Sequence, residues 1–224
     1  MSTFRRRLMM NIERTVSPLP PAYQQVEYVR FTGTQWAETS IKPSNYRGNC
    51  KLEIIERHDN PASNGYVIGT FPGNTAGTTR FNIRIDKGGL ICNAYVNSKS
   101  NTALGLQMTN LVNNSYNTII FDVNMTNHSR ILTVNGESIS DTTTEFYSAN
   151  SSYKFRLGAY TGINSAQLFK GDLAEVKIYG NGDLVSHCYP CYRKADNVIG
   201  FYDVVNNEFL TNGGSGTFTK GADV

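Results

Sequence analysis

Short segments rich in β-branched and aromatic residues recur along most of the chain, and polar turn residues separate them. In residues 80–85 apolar and polar side chains alternate strictly, which places Phe81, Ile83 and Ile85 on the core side of a strand. No segment beyond residue 22 keeps the 3.6-residue apolar period of a helix. The pattern predicts an all-β body with strands at 26–31, 34–39, 50–57, 65–71, 79–86, 89–96, 117–123, 130–134, 153–159, 167–179, 183–189, 198–204 and 207–210.

Two dipeptides between predicted strands favour two-residue hairpin loops, because glycine and asparagine adopt the required backbone conformations at low cost. They are Lys87-Gly88 and Asn135-Gly136. Short strands joined in this way indicate two antiparallel sheets packed face to face, although periodicity alone does not separate a jelly roll from another sandwich. Segments 97–116 and 141–152 are dense in Asn, Ser and Thr, and we expect long polar loops there.

The first 21 residues differ from the rest, and we interpret them as an arm that precedes a single folded domain at 22–224. Apolar residues at helical spacing would share one stripe of a helix, and the Pro-rich segment 17–21 would end that helix in a stiff, extended spacer. A lone amphipathic segment of this length gains stability only against a partner, so we expect a docking peptide. A disordered tail is the alternative. The residues expected to dock are Phe4, Arg5, Arg6, Arg7, Leu8 and Ile12.

The charge of the protein is concentrated in this arm. Four of the 21 basic side chains but only one of the 18 acidic ones lie in residues 1–21, so the rest of the chain carries 17 of each sign. A nucleic-acid-binding domain needs a face rich in Lys and Arg. We therefore expect no nucleic-acid partner.

Apolar runs are too short for a membrane span or a signal peptide, since the longest near the N-terminus is 8–10 and a span needs ~18 or more residues. We expect no membrane partner, and synthesis and folding in a host cytoplasm. Reduced thiols are then the simplest state of the cysteines, with Cys50 and Cys92 packed as small apolar groups. A zinc site that includes Cys188 and Cys191 is the alternative.

Motifs at both ends of the domain resemble a known fold family. The C-terminal part has a strand at 169–179, a Gly-Asn-Gly turn at 180–182 and a basic Pro-Cys-Tyr-Arg-Lys segment at 190–194. The N-terminal part has Tyr-Gln-Gln-Val-Glu-Tyr at 23–28, followed by Thr-Gly-Thr-Gln-Trp at 32–36. In this order the motifs resemble laminin-G/concanavalin-A-like jelly rolls of the type encoded by gut bacteria and their phages. The resemblance implies a two-sheet antiparallel jelly roll, but it implies a ligand only weakly because one fold hosts many functions.

Candidate catalytic groups are poorly supported. Paired carboxylates on one strand face would indicate a glycosidase, but Asp172 and Glu175 have odd spacing, as do Glu53 and Glu56, which predicts opposite faces. We expect no catalytic residue. The histidines, expected at the surface or at sheet edges, are His58, His128 and His187.

Two acidic segments offer oxygen ligands of the kind that calcium prefers: Asp59-Asn60 and Asp122-Val123-Asn124. The resemblance implies that calcium at a rim is possible, since laminin-G-like domains often bind it there. The favoured interpretation is that these residues form turns. We therefore expect no metal site and no cofactor, with calcium as the open alternative.

Glycan binding is better supported by the sequence. Sugar sites combine an aromatic face with amide or guanidinium groups that bond hydroxyls. If Lys87-Gly88 is a two-residue loop, Asn82 pairs with Asn93 and Arg80 with Tyr95, which gathers polar and aromatic side chains on one sheet face. A solvated outer face is the alternative. Trp36 is expected to be buried in the opening strand. The candidate glycan-binding residues are Arg80, Asn82, Arg84, Asn93 and Tyr95.

The leading hypothesis is a non-enzymatic structural protein of a phage virion, in the capsid, tail, fibre or baseplate, with the arm binding other virion proteins. We expect a homo-oligomer, because weak glycan sites benefit from multivalency. A free carbohydrate-binding or adhesion module is the second hypothesis, and a glycoside hydrolase with carboxylates from distant strands is the third.

Overall fold

Two antiparallel β-sheets packed face to face make up the computed structural model, which describes residues 17–46, 48–59, 61, 63–70, 81–97, 103–142, 153–160 and 167–224. The only helical segment among these residues is a turn of 3-10 helix at Pro43–Asn45. The predicted all-β sandwich is confirmed. The strands, in chain order, are β1 (Tyr23–Gln25), β2 (Val29–Thr32), β3 (Ala37–Glu38), β4 (Asn49–His58), β5 (Gly65–Thr70), β6 (Phe81–Ile85), β7 (Cys92–Asn97), β8 (Ala103–Met108), β9 (Asn117–Asn124), β10 (Ser129–Val134), β11 (Glu137–Thr142), β12 (Arg156–Leu157), β13 (Lys170–Gly180), β14 (Asp183–Arg193), β15 (Val198–Asp203), β16 (Glu208–Leu210) and β17 (Thr219–Lys220).

The large sheet has the strand order β11-β10-β9-β4-β13-β14-β15-β16, with β2 paired to β13 and β17, and β1 paired to β14. The small sheet has the order β3-β12-β5-β6-β7-β8. Strand β4 pairs with β9 and β13, which are distant in sequence. Such crossing connections between non-consecutive strands are typical of jelly rolls. No helix in the described part of the chain has the length and apolar character that crossing a bilayer requires.

The core lies between the inner faces of the two sheets and forms from strict alternation along the strands. In β4, Cys50, Leu52 and Ile54 are buried while their neighbours are partly exposed. Phe31 contacts three other phenylalanine rings, and burial of one such side chain stabilises the fold by roughly 1.5–3 kcal/mol. Gly158 has a φ of 77°, and a Cβ at this position would lie 2.3 Å from the Phe31 ring. Glycine is therefore required there both for backbone conformation and for space.

The two predicted hairpin loops have different outcomes. Asn135 and Gly136 connect β10 to β11 with φ values of 52° and 90°, so this two-residue loop is confirmed. The loop at Lys87-Gly88 is longer than predicted, because β6 and β7 close where the Asp86 amide donates to the Ile91 carbonyl at 3.0 Å. Inside the predicted polar loop 97–116 the chain forms β8, so that expectation is wrong for residues 103–108.

The chain before β1 packs against the body. Leu19 is buried with Cys191 and Tyr202, and the Nζ of Lys194 donates to the carbonyl of Pro21 at 2.9 Å. The predicted docking residues of the arm lie outside the described residues, so docking stays a prediction. All four cysteines are buried free thiols, as expected for Cys50 and Cys92.

Candidate functional site

The β6–β7 hairpin carries the candidate glycan-binding residues on the outer face of the small sheet, opposite the core. Asn82 pairs with Tyr95, and Arg84 pairs with Asn93. The predicted pairs are wrong, because the longer loop shifts the register by two residues. A shift of two leaves every side chain on its original face, since strand side chains alternate with a period of two. The structure therefore brings Asn82, Arg84 and Asn93 to one face, whereas Arg80 and the side chain of Tyr95 lie outside the part of the chain that the structure describes.

Unpaired amide groups lie at the centre of this outer face. Asn82 is 0% exposed and Asn93 is 6% exposed. The Nδ2 and Oδ1 atoms of Asn82 and the Nδ2 atom of Asn93 have no hydrogen-bond partner within the described part of the chain. Gly69 lies directly opposite Asn82, and a Cβ on Gly69 would be 2.4 Å from the Asn82 Cβ. Because Gly69 has no side chain, the Asn82 side chain can occupy the space next to it.

Charged and aromatic groups surround the amides. The Arg84 guanidinium bonds Oδ1 of Asp86, with Nε at 2.8 Å and Nη2 at 2.7 Å. Tyr66 pairs with Arg84 across the strands, and its ring meets the Tyr160 ring edge-on at 4.2 Å between centroids. Amide, guanidinium and aromatic groups are the combination that sugar sites use.

The outer face continues across the sheet to Arg156. Arg156 pairs with Gly69 on one side and with Glu38 on the other. Its Nε donates to Oε2 of Glu38 at 2.9 Å, and its guanidinium carbon lies 3.8 Å from the centre of the Trp36 ring. Trp36 is half-buried, so the expectation of burial is wrong in part. Sequence reasoning missed Arg156, because only the pairing of β12 with β5 places it beside the hairpin.

The hairpin loop is anchored to the large sheet by a buried polar cluster. His58 is 1% exposed and Glu56 is 0% exposed. Nδ1 of His58 lies 2.9 Å from Oε2 of Glu56, and Nε2 lies 2.7 Å from the Gly89 carbonyl, to which it donates. Asn117 donates from Nδ2 to Oε1 of Glu56 at 3.0 Å, and Asn113 donates from Nδ2 to the Gly88 carbonyl at 2.9 Å. These bonds connect the loop of the candidate site to strand β4.

The expectation that the histidines lie at the surface or at edges is wrong for His58 and for His187, which is buried on β14 between β13 and β15. Residues 50, 52, 54, 56 and 58 alternate onto the core face of β4. This alternation was visible in the sequence and would have predicted burial of both Glu56 and His58.

We expect the stability of the protein to depend on pH because His58 and Glu56 form a buried pair. Burial alone lowers the pKa of His58, but the hydrogen bond and charge of Glu56 outweigh it and raise the pKa above its ordinary value of 6.5. When folding raises the pKa of a group, protonation of that group stabilises the folded state. This contribution to stability is complete at pH values below the ordinary pKa and is lost as pH rises through the pKa of the folded state. Burial also raises the pKa of Glu56, which acts in the same direction.

The thermal midpoint is therefore expected to fall as pH rises from about 6 to about 9, and to fall less in Glu56→Gln, which lacks the charge that raises the pKa of His58. Differential scanning calorimetry of both proteins across this range measures the difference between their pH slopes. Identical pH slopes would contradict the assignment.

The carboxylates considered for catalysis are engaged by cations. A β-bulge between Leu173 and Glu175 changes the alternation of β13. Asp172 pairs with Arg57 and Glu175 pairs with Ile55, so both acids lie on the outer face of the large sheet, and the prediction of opposite faces is wrong. Asp172 bonds Arg30 and Arg57. Glu175 accepts from Nε2 of His187 at 2.7 Å and pairs with Lys177 at 3.0 Å.

Two of the residues considered for calcium, Asp59 and Asn124, have structural partners. The Asp59 carboxylate pairs with Arg30, and Asn60 lies outside the described residues. Oδ1 of Asn124 accepts from the backbone amides of Thr126 and Asn127 at 2.9 and 3.1 Å, which is a turn-forming role. Within the described ranges, no three His, Cys, Asp or Glu side chains converge in a way that could bind a metal ion. Calcium binding stays untested.

Comparison with known proteins identifies the architecture. No protein-family model and no curated protein matches the chain. Among solved structures, a Bacteroides ovatus protein to which carbohydrate binding is ascribed matches with a TM-score of 0.62 and 13% identity, over 90% of this chain and 62% of that one. The laminin-G domains LG4-5 of the mouse laminin α1 chain match with a TM-score of 0.53 and 17% identity, over 69% of this chain and 41% of that one. The chain has a laminin-G/concanavalin-A-like jelly-roll fold.

A further jelly-roll relative in structure is the carbohydrate-binding module CBM40 of the Ruminococcus gnavus IT-sialidase, solved with α2,3-sialyllactose. It matches with a TM-score of 0.57 and 15% identity, over 72% of this chain and 93% of that one. The present chain spans about three fifths of the Bacteroides protein, 62% of its length. At these identities the comparisons establish the LamG-like jelly roll and leave the ligand to the site itself.

Proposed function

We propose that this protein is a non-enzymatic carbohydrate-binding module that binds a glycan on the outer face of its small sheet. The observation that carries the proposal is the group of unpaired amide atoms of Asn82 and Asn93 beside the Arg84 guanidinium. Buried polar groups in proteins almost always have partners, and one left unpaired costs roughly 1–3 kcal/mol. A ligand rich in hydroxyl groups supplies donors and acceptors for these atoms.

The aromatic content of the face supports the same ligand class. The Tyr66 and Tyr160 rings pack edge-on against each other next to the polar groups, and they are largely buried, with 5% and 9% of their surface exposed. Sugars present C–H groups on one side and hydroxyls around the ring, so they match a surface of mixed character. The carbohydrate-binding proteins among the structural relatives are consistent with this function.

A finer proposal places the module on a phage particle, with residues 1–21 as the attachment. Its support is the sequence of that arm and the family resemblance, and the structural relatives do not bear on it. A glycosidase is not favoured, because Asp172 and Glu175 are paired with cations.

Glycan binding is expected to require Arg84. Loss of one hydrogen bond to a charged group costs about 1.5–3 kcal/mol, so Arg84→Ala should weaken binding at least tenfold. A glycan array with the full chain identifies bound sugars, and isothermal titration calorimetry then compares the two proteins. The matched control is Lys177→Ala, which removes a carboxylate-paired cation from the outer face of the opposite sheet and should not change affinity.

Circular dichroism would establish that both variants keep the β-sandwich. The proposal would be overturned if the wild type bound no glycan on the array, or if the folded Arg84→Ala protein bound as tightly as the wild type.

A further inference from the structure

The guanidinium of Arg156 is fixed in position on β12, next to the edge strand β3 of the small sheet. It lies over the Trp36 ring at 3.8 Å, and its Nε donates to Glu38 at 2.9 Å. The ring is itself fixed, because Gly213 packs so closely that a Cβ there would lie 2.3 Å from ring carbons. Stacking and an ion pair together orient a side chain that would otherwise sample many rotamers. A ligand that bonds Arg156 therefore loses little of its binding energy to ordering.

The terminal nitrogens of Arg156 are available for bonding. The hydrogen bond to Glu38 uses Nε, and no residue in the described part of the chain accepts from Nη1 or Nη2. A guanidinium offers only donors, in a planar fork that fits pairs of acceptor oxygens. Adjacent hydroxyls or a carboxylate on a sugar ring provide such a pair.

Strand register places this fork in line with the unpaired amide of Asn82. Arg156 is opposite Gly69, and Gly69 is opposite Asn82, so the three residues form one row across β12, β5 and β6. Neighbouring strands are ~4.8 Å apart, so the backbones of Arg156 and Asn82 are separated by roughly 10 Å. Gly69 between them has no side chain. A chain of two sugar units is long enough to lie along this row.

We propose that Arg156 forms a second subsite, which binds the next sugar unit of an oligosaccharide whose first unit occupies the Asn82–Arg84–Asn93 site. This inference rests on the proposed glycan-binding function and deepens it by assigning the ligand class: an oligosaccharide of two or more units that lies across the strands. Arg156 is then a residue that determines ligand length, in contrast to Arg84, which binds the unit common to all lengths.

The test uses matched series of one to four units from cello-, malto-, xylo- and N-acetylchito-oligosaccharides, titrated into the full chain by NMR and calorimetry. In the series that binds, affinity of the wild type should rise at least tenfold between one unit and the longer members. Arg156→Ala should remove this rise and leave the affinity for one unit unchanged. Lys154→Ala is the matched control, because Lys154 also lies 4.0 Å from Glu38 but its positive charge has no planar fork. This variant should keep the rise.

The outcomes separate the two proposals. If affinity for one unit depends on Arg84 but the rise with length persists in Arg156→Ala, the second subsite is refuted and the glycan-binding function stands. A rise that Lys154→Ala also removes would assign the effect to general charge and refute the subsite. Absence of binding across all four series and the array would refute both proposals.

Discussion

Replacing His58 by alanine is expected to lower the free energy of unfolding by about 3 to 5 kcal/mol, the range measured when one partner of a buried charge pair is removed. Glu56 would remain fully buried with Asn117 as its hydrogen-bond donor. The Gly89 carbonyl would lose the donor that connects the β6–β7 loop to β4. Chemical denaturation at neutral pH measures the loss, and hydrogen exchange of the amides at 87–90 measures the release of the loop.

Two further variants test the reason for this loss. Arg193→Ala removes an exposed ion pair with Asp196 and should leave the free energy of unfolding nearly unchanged. The double variant Glu56→Leu/His58→Leu removes both buried polar groups and should be less destabilised than His58→Ala, since no unpaired charge remains. If the double variant were the less stable one, shape rather than charge pairing would explain the role of the cluster.

Asp172→Asn is expected to destabilise the protein by about 2 to 4 kcal/mol, because it removes the buried negative charge between two arginines. Asp172 is 0% exposed. Its Oδ1 accepts from Arg30 at 3.0 Å, and its Oδ2 accepts from Nε of Arg57 at 2.7 Å. The two guanidinium groups keep partial contact with water, which places the expected loss toward the lower part of the range for buried pairs. Asparagine has nearly the same shape, so packing is preserved and equilibrium denaturation reports the charge.

The control for this prediction is another carboxylate on the same arginine. Asp59 pairs with Arg30 but its side chain is 50% exposed. Asp59→Asn should therefore cost about 1 kcal/mol or less, and the difference between the two variants should persist in high salt, which screens only exposed pairs. If both variants lost the same free energy of unfolding, burial of Asp172 would not be the reason for its contribution to stability.

Part of the candidate site could be predicted because it depends on alternation along single strands. Phe81, Ile83 and Ile85 face the core as expected, which places Asn82 and Arg84 on the outer face whatever the partner strand. The predicted loop was too short, but the residues predicted to share the outer face still share it, because the register error was an even number of residues. The unpaired state of the amides was not predictable, because it depends on which groups the folded chain brings near them.

Other features depend on irregularities that the sequence does not signal. The β-bulge in β13 brings Asp172 and Glu175 to one face, contrary to their spacing. The contact of Arg156 with Glu38 joins residues 118 positions apart. Neither propensity nor periodicity specifies such a pairing, and sequence analysis accordingly assigned Trp36 to the core.

The sequence alone determined the all-β class, the core face of regularly alternating strands such as β6 and, through its terminal motifs, the jelly-roll resemblance. These properties are local, because the alternation of side chains and the conformational freedom of Asn-Gly turns act over a few residues. Only the tertiary structure decided the register of the hairpin, the hydrogen bond of His58 to the Gly89 carbonyl, and the alignment of Arg156 with Asn82. These depend on pairing between distant strands, where many combinations satisfy the same local pattern and the packing of the whole sandwich selects one.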